Sequence, residues 1–368
     1  LRRPGFSGTI VVTLALGIGA TTALFGVFRS VFLAPMDLPE SDRLAFVMET
    51  AGFGCCGPAS GPDYVDWVER NRSFDGMAAL NPGSFNLAAE EGAEQVYGTR
   101  VTSNAFEFLG VEPLLGRSLL PEDEVTGGVV VLGHGLWQRL FAGDPDAVGA
   151  SMEIDGSPTT VVGVMPAEFD VPSPWARTRG HAFFLPFERE RLETNRGNHG
   201  TPVVAKLADG VDLDAAAADM DRIMRELAVE YPTTNGERGA RVFSAHEYLY
   251  GDVGQQLGMI LAAAALVLLI ACGNVAGLQL ARAAGRESEL AVRAALGASR
   301  RAVAGLLFAE SLLLSVVGGV AGVALAFVFT DALRGILPPT MPRADQVGID
   351  GWSMLFAMSA AALTALIF

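Results

Sequence analysis

The chain has 368 residues, 50% of them hydrophobic and 18% charged, and its mean hydropathy of +0.35 is too high for an ordinary soluble protein of this length. We therefore expect part of it to lie in a membrane. Its net charge of −15 disfavours a nucleic-acid partner, because nucleic acids attract basic proteins. The sequence begins at Leu1 and stops at Phe368 inside an apolar run, so we expect it to be a fragment.

The first apolar run, residues 6–28, contains no charged residue and follows Arg2 and Arg3. Its length suits a membrane-spanning helix, and basic flanks favour the cytoplasmic side. The alternative is a cleaved signal peptide, whose apolar region is normally about 7–15 residues long. We predict an uncleaved first span within residues 1–33, with a cytoplasmic N-terminus.

Three more apolar runs follow a long polar stretch. They predict spans at about 257–280, 302–329 and 352–368, of which the last is shorter than the ~20 residues that a helix needs to cross a bilayer. The loop between the second and third spans carries five arginines and two glutamates, which is typical of a cytoplasmic loop. The predicted fold class is therefore a membrane α-helical protein with four spans, the last truncated, and a large extracytoplasmic α+β domain at 34–252. Residues 253–368 would form the second membrane domain.

The polar stretch at 34–252 holds 35 acidic and 16 basic side chains and is long enough for one or two packed domains. Its alternating strand and helix patterns predict a strand–helix–strand unit that is interrupted by a largely β insertion. In chain order we predict a helix opening with Pro62 and Asp63, a strand at 94–102, a helix capped by Ser103, a strand at 127–133, a helix at 135–141, a hairpin turning at Asp155 and Gly156, a strand at 202–210 and a helix at 213–231.

The sequence shows no catalytic or metal-binding spacing. Cys55 and Cys56 are adjacent, and we expect two free thiols in a glycine-rich loop, with a vicinal disulfide as the alternative. No Ser–His–Asp or paired-carboxylate arrangement can be argued, so we predict no catalytic residue, metal or cofactor. The four histidines are scattered: His134, which we expect to be a helix cap or core residue, His181, His199 and His246.

Several segments, in order along nearly the whole chain, carry a resemblance to a known family. They include TLALGIGATTALFGVFRSVFLAP, PDYVDWVERNRSF, LGHGLWQRLFAGDP, IDGSPTTVVGVMP, LLIACGNVAGLQLARAAGRESELAVRAALGASRR and ESLLLSVVGG. The sequence resembles the FtsX-like permeases of the macrolide-exporter (MacB-like) type of ABC transporter, and within them the acidobacterial duplicated orphan permeases, as a truncated first half. Gly277 and Gln279 depart from the family pattern.

The resemblance implies a multi-pass inner-membrane permease that hydrolyses no ATP itself. A P-loop, Gly-x-x-x-x-Gly-Lys-Ser/Thr, is absent from the sequence. The implied partners are a cytoplasmic ABC ATPase subunit, membrane lipid and a second permease half, in the same chain or in a dimer. ATP hydrolysis in the partner would move the extracytoplasmic domain to export or extract a substrate, which no short motif identifies.

A cytoplasmic helix at 286–298 would, by the same resemblance, dock on the ATPase subunit. Glu289 and Arg293 stand at i and i+4 in the favourable order, which supports a helix. The alternative is a membrane-surface helix without a partner. The residues predicted to couple to the ATPase are Arg286, Glu289, Leu290, Arg293 and Leu296.

Small and polar residues in the second and third spans predict helix packing. Gly273 and Gly277, and likewise Gly318 and Gly322, form Gly-x-x-x-Gly pairs that let helices approach closely, either between subunits or within one. Asn274 could hydrogen-bond between helices. Glu310, in the third span, is either a relay for protons or substrate or a polar contact at the cytoplasmic interface, and we expect the latter.

Two other classes of function compete with a transporter. A membrane-anchored sensor or scaffold would share the same topology, with an ectodomain that binds an envelope ligand or protein. An ectodomain enzyme has no visible catalytic constellation to support it.

Overall fold

The computed structural model describes residues 4–34, 36, 38–51, 54–89, 92–167, 169, 171–172, 181–284, 300–336 and 347–367. The chain divides into two compact units. The helical unit comprises Leu1–Ala34 and Tyr250–Phe368, and the globular unit comprises Pro35–Leu249.

The described helices are α1 (Pro4–Phe28), α2 (Gly61–Arg70), α3 (Ala105–Phe108), α4 (Asp123–Thr126), α5 (His134–Phe141), α6 (Arg189–Glu193), α7 (Leu213–Glu230), α8 (Pro232–Asn235), α9 (Ala245–Ala284), α10 (Arg300–Ile336) and α11 (Gly351–Ile367). The strands are β1 (Leu44–Ala51), β2 (Gly54–Gly57), β3 (Ala59–Ser60), β4 (Phe74–Ala89), β5 (Gly92–Val101), β6 (Leu115–Gly116), β7 (Val129–Leu132), β8 (Ser151–Ile154), β9 (Ser157–Val164), β10 (Phe183–Pro186), β11 (His199–Thr201), β12 (Val203–Leu207) and β13 (Gly239–Ser244). A short π-helix, Arg29–Leu33, continues α1.

Within the described residues, 3 helices are long and apolar enough to cross a membrane: Gly5–Leu33, Ala245–Ala281 and Ala309–Ile336. They coincide with the first three predicted spans. The helix α11 has 17 residues, so the fourth span remains a prediction.

The helix α9 is longer than the predicted span because it begins at Ala245, directly after β13, rather than near residue 257. The side chain of Ser244 accepts a hydrogen bond from the backbone N–H of Glu247 at 3.4 Å, as an N-cap residue does. These first turns are helical but polar, so the pattern of apolar residues does not predict them. The chain therefore passes from β13 into α9 without an intervening loop.

The apolar part of α1 is the most enclosed of the three candidate spans. Within it 56% of the residues are buried, against 33% for α10 and 11% for α9. Ile10, Leu14 and Ile18 of α1 pack in one cluster with Leu314 of α10 and Ala357 of α11. The helix α1 is thus the centre of the helical unit.

The globular unit is built on one mixed sheet with the strand order β13-β1-β12-β4-β5-β10-β7-β9-β6. The strand β4 is 16 residues long and belongs to two hydrophobic cores. Its first half pairs with β12, and its second half pairs with β5. The first core lies around β1, β12, α2 and α7, and the second around β5, β7, β9 and α5.

This arrangement agrees with the predicted strand–helix–strand unit and its β insertion. The predicted hairpin is confirmed, since β8 and β9 turn at Asp155 and Gly156, whose φ angles are 49° and 76°. The predicted cap of α3 was wrong. Asn104 precedes that helix, and the backbone N–H of Ser103 instead donates to Glu124 Oε1 at 2.7 Å.

The expectation of a free thiol at Cys56 was also wrong. Cys56 is disulfide-bonded and has a left-handed backbone with φ 81°. The side chain of Cys55 lies outside the described residues, and Cys272, in α9, is a buried free thiol.

Candidate functional site

The predicted coupling helix at 286–298 lies outside the described residues. Its residues Arg286, Glu289, Leu290, Arg293 and Leu296 therefore remain predictions. The two helices that flank it, α9 and α10, end at Ala284 and begin at Arg300.

Gly318 and Gly322 of α10 are buried against α1. A Cβ atom added to Gly318 would lie 2.9 Å from Leu14 Cβ, and one added to Gly322 would lie 3.0 Å from Ile18 Cβ. The approach is mutual, because a Cβ on Gly19 of α1 would lie 2.9 Å from the carbonyl oxygen of Gly322. Only glycine allows the two backbones to come this close.

Gly273, Asn274 and Gly277 of α9 are instead exposed. Among the described residues nothing lies within 4 Å of a Cβ added to either glycine. Gln279, which follows Gly277 by two residues, does contact a neighbouring helix: Ser311 of α10 donates a hydrogen bond to Gln279 Oε1 at 3.0 Å. The adjacent Glu310 is half-buried.

The end of α1 is tied to the start of α11 by a polar contact. Arg29 forms an ion pair with Asp350, and its guanidinium lies 5.8 Å from the ring centroid of Trp352. Asp350 Oδ1 also accepts hydrogen bonds from the backbone N–H and the hydroxyl of Ser353, both at 2.9 Å. Asp350 therefore caps α11 and holds Arg29 with the same carboxylate.

Changing Asp350 to alanine should cost about 1.5 kcal/mol of stability, because the cap and the ion pair are both lost. The variant Asp350→Asn keeps a capping oxygen and should cost only about 0.5 kcal/mol, since the ion pair is partly exposed to solvent. Equilibrium unfolding of the purified chain in mixed micelles measures both. Equal losses for the two variants would contradict the capping role.

A second polar constellation lies in the first core of the globular unit, where four chain segments meet. Glu49 of β1 and Asp63 of α2 are 2% and 0% exposed. His199 Nδ1 of β11 lies 2.7 Å from Glu49 Oε2, and Arg238 Nη1, after α8, donates to the same oxygen at 3.1 Å. We call these residues, with Asp66 and Arg196, the buried ionic cluster.

Arg196 is the cation at the centre of this cluster. Its guanidinium is ion-paired with Asp63, lies 2.7 Å from Asp66 Oδ2 and stacks 3.8 Å from the ring centroid of Tyr231. The buried amide of Asn235 donates to Asp63 Oδ1 at 2.8 Å. Asp63 is thus fixed by several donors at once.

The local sequence explains why Asp63 points into the cluster. Ser60 is the N-cap of α2, and its hydroxyl accepts from the backbone N–H of Asp63 at 3.1 Å while donating to Asp63 Oδ2 at 2.7 Å. The backbone N–H of Ser60 donates to Glu49 Oε1 at 3.2 Å. One helix start therefore positions both carboxyl groups.

The two carboxyl groups titrate differently. Burial, together with a hydrogen bond to Asp63 and repulsion from it, raises the pKa of Glu49 to about 8. Burial also pushes the pKa of Asp63 upward, but hydrogen bonds from Glu49, Ser60, Asn235 and Arg196 outweigh it and leave the pKa below its usual value. Burial, and then the charge of Arg238, lowers the pKa of His199.

Ligand-type atoms of Glu49, Asp63 and His199 lie within 4.8 Å of one another, as at a metal site. We assign no cation to them, because the guanidinium groups of Arg196 and Arg238 already contact these carboxyl groups. The sequence does not predict the cluster, because its members are up to 189 residues apart in the chain and share no local spacing.

The fold comprises apolar helices long enough to cross a membrane and a large folded unit that follows the first of them. Residues 7–223 match the MacB-like periplasmic core domain, and residues 261–368 match the FtsX-like permease C-terminal domain. The chain belongs to this MacB-like, FtsX-like family of ABC transporter permeases, which are inner-membrane proteins with a periplasmic domain.

Two curated relatives illustrate the similarity. The pyoverdine export ATP-binding/permease protein PvdT of Pseudomonas syringae pv. tomato is 25% identical over 58% of this chain and 32% of its own length. The macrolide export ATP-binding/permease protein MacB of Aggregatibacter actinomycetemcomitans is 22% identical over 86% of this chain and 48% of its own length. The chain thus spans a third to a half of these relatives.

One solved structure is the periplasmic region of MacB from Actinobacillus actinomycetemcomitans. It is 16% identical, with a TM-score of 0.39 over 59% of this chain and 94% of that one.

Proposed function

We propose that this chain is the permease part of a MacB-type ABC transporter and transmits ATP-driven movement from a cytoplasmic ATPase subunit to its extracytoplasmic unit. The observation that carries this proposal is the helix α9. It runs for 40 residues, from the end of β13 through an apolar span to the residues that precede the predicted coupling helix.

The connection between β13 and the N-terminal end of α9 suits the transmission of movement. The strand β13 pairs with β1 through six residue pairs, from Ala45↔Ser244 to Thr50↔Gly239. At the first turn of α9, Tyr248 packs on Phe46 and Phe243 with ring centroids 5.7 and 5.3 Å apart. Because no loop separates helix from strand, a tilt of α9 would act directly on the sheet.

The same proposal includes the topology of the chain, the contacts of its exposed glycines and its activity. The N-terminus and residues 286–298 would face the cytoplasm, residues 34–252 would be extracytoplasmic, and α11 would begin a fourth span. The exposed glycines Gly273 and Gly277 would contact a second permease half or lipid. Since the relatives are named for export of pyoverdine and macrolides, we propose export or extraction of a substrate as the activity.

The test is an affinity pull-down of the full-length protein from native membranes, comparing wild type with Leu290→Glu. We expect an ABC ATPase subunit with wild type and at least a tenfold loss with Leu290→Glu, because a charge would replace an apolar docking contact. A matched control is Leu114→Glu on the globular unit, where the leucine is 52% exposed, and it should retain the ATPase. Absence of an ATPase from every sample would favour an anchored sensor or scaffold instead.

A further inference from the structure

The globular unit contains a return segment, residues 187–201, through which the chain comes back from the second core to the first. Phe187 and Leu192 anchor its first part, since both are buried in the first core. Gly61 of α2 lies so close to Arg191 and Leu192 that an added Cβ would clash with their backbone. The first part of the return segment is therefore packed by apolar contacts.

The second part of the return segment is held by charge. Arg196 pairs with Asp63 and Asp66, and His199 contacts Glu49. Backbone pairing adds little, because β11 meets β3 in only two register pairs, His199↔Ser60 and Thr201↔Ala59. The attachment of residues 195–201 to the first core thus depends on the buried ionic cluster.

We propose that the buried ionic cluster is a proton-sensitive attachment, which holds residues 195–201 on the first core while Glu49 is protonated and loosens them when Glu49 loses its proton. A protonated Glu49 can donate to Asp63, so that the two buried carboxyl groups share one negative charge. Once Glu49 is ionised, two buried carboxylates face each other, and repulsion between them opposes the closed arrangement.

Two donors and one imidazole ring face the carboxyl group of Glu49. Arg238 and the backbone N–H of Ser60 donate to it, while burial, and then the charge of Arg238, lowers the pKa of His199 and so disfavours a second cation beside Glu49. The charged and titratable groups that face the cluster are Asp63, Asp66 and Arg70 of α2, Arg196 and His199 of the return segment, Tyr231 before α8, and Arg238 after it.

The sign of the pH effect follows from linkage. When residues 195–201 are attached, the pKa of Glu49 is raised from 4.5 to about 8. The stabilisation that Glu49 gives to the attachment is therefore complete below pH 4.5 and is lost as the pH rises through 8. The pKa of His199 is lowered, so the stabilisation that His199 gives is present above pH 6.5 and is lost as the pH falls. Between pH 6.5 and 8.5 the contribution of Glu49 falls, and the attachment should weaken.

Hydrogen–deuterium exchange of the full chain in detergent, at pH 6.5 and 8.5 and corrected for intrinsic exchange rates, tests this proposal without any ATPase. In wild type, protection of residues 195–201 should fall about tenfold with rising pH. The hairpin at 151–164 serves as an internal reference and should not change. Equal behaviour of the two segments would overturn the proposal even if no variant folds.

The variant Glu49→Gln imitates the protonated carboxyl group and keeps a donor toward Asp63. Its protection at 195–201 should change less than twofold between the two pH values. The matched control Glu153→Gln, at an exposed glutamate of β8, should keep the tenfold change of wild type. A tenfold change that persists in Glu49→Gln would assign the pH effect to another group and refute the proposal.

Discussion

Replacing Gly322 with valine should lower the stability of the purified chain in mixed micelles by about 3 kcal/mol, as overpacking of a tight contact does. A Cβ at this position would lie 3.0 Å from Ile18 Cβ, 3.1 Å from Ile18 Cγ2 and 3.3 Å from the carbonyl oxygen of Ala15. The carbonyl oxygen belongs to the backbone of α1, so a change of side-chain rotamer cannot relieve the clash. The helices α1 and α10 would have to separate.

The matched control is Gly277→Val, which makes the same change in the other Gly-x-x-x-Gly pair. Among the described residues nothing lies within 4 Å of a Cβ at Gly277, so this variant should cost less than about 0.5 kcal/mol in the isolated chain. Equilibrium unfolding of wild type and both variants under the same conditions compares them. Equal losses would show that close approach of α1 and α10 is not what requires glycine at position 322.

The two glycine pairs show where sequence patterns stop being informative. Both have the same spacing in an apolar helix, yet Gly318 and Gly322 are buried against α1 while Gly273 and Gly277 are exposed. Spacing describes one face of one helix, whereas packing depends on which neighbour lies opposite. That neighbour is α1, about 300 residues earlier in the chain, and no local pattern identifies it.

Periodic and compositional signals predicted the elements that depend on local chemistry. The helices α2 and α7, the hairpin at Asp155 and Gly156 and the three long apolar helices were all visible, because capping, turn geometry and hydrophobicity are properties of neighbouring residues. The strand β4 was missed. It contains Asn81, Pro82 and Gly83, which are typical of a turn, but pairing with β5 keeps it extended across both cores.

The buried ionic cluster was missed for a related reason. Its residues belong to four segments between Glu49 and Arg238, and each is ordinary in its own context. Asp63 follows a helix cap, His199 lies in a short strand, and the arginines resemble solvated surface residues. Only the return of the chain after the insertion brings them together, so long-range topology and not spacing creates the site.

Within this cluster, Asp63→Ala should cost about 4 kcal/mol of stability, as is typical when one partner of a buried ion pair is removed. Asp63 is 0% exposed and accepts from Arg196, Asn235 and Ser60. Its loss would take from Arg196 the carboxylate that it shares with Asn235, leaving the guanidinium paired with Asp66 and stacked on Tyr231, and would leave the buried amide of Asn235 without this acceptor. Both groups are too buried for water to replace the lost carboxylate fully.

Urea unfolding of the full chain in detergent, followed by tryptophan fluorescence, measures this loss because Trp67 is fully buried in the same core. The matched control is Asp209→Ala, which removes a 93% exposed carboxylate paired with Arg43 and should cost less than about 0.5 kcal/mol. If Asp63→Ala cost no more than this control, the buried ionic cluster would contribute nothing to the first core. The attachment of residues 195–201 would then rest on the backbone pairing of β11 with β3 and on the apolar contacts of Phe187 and Leu192.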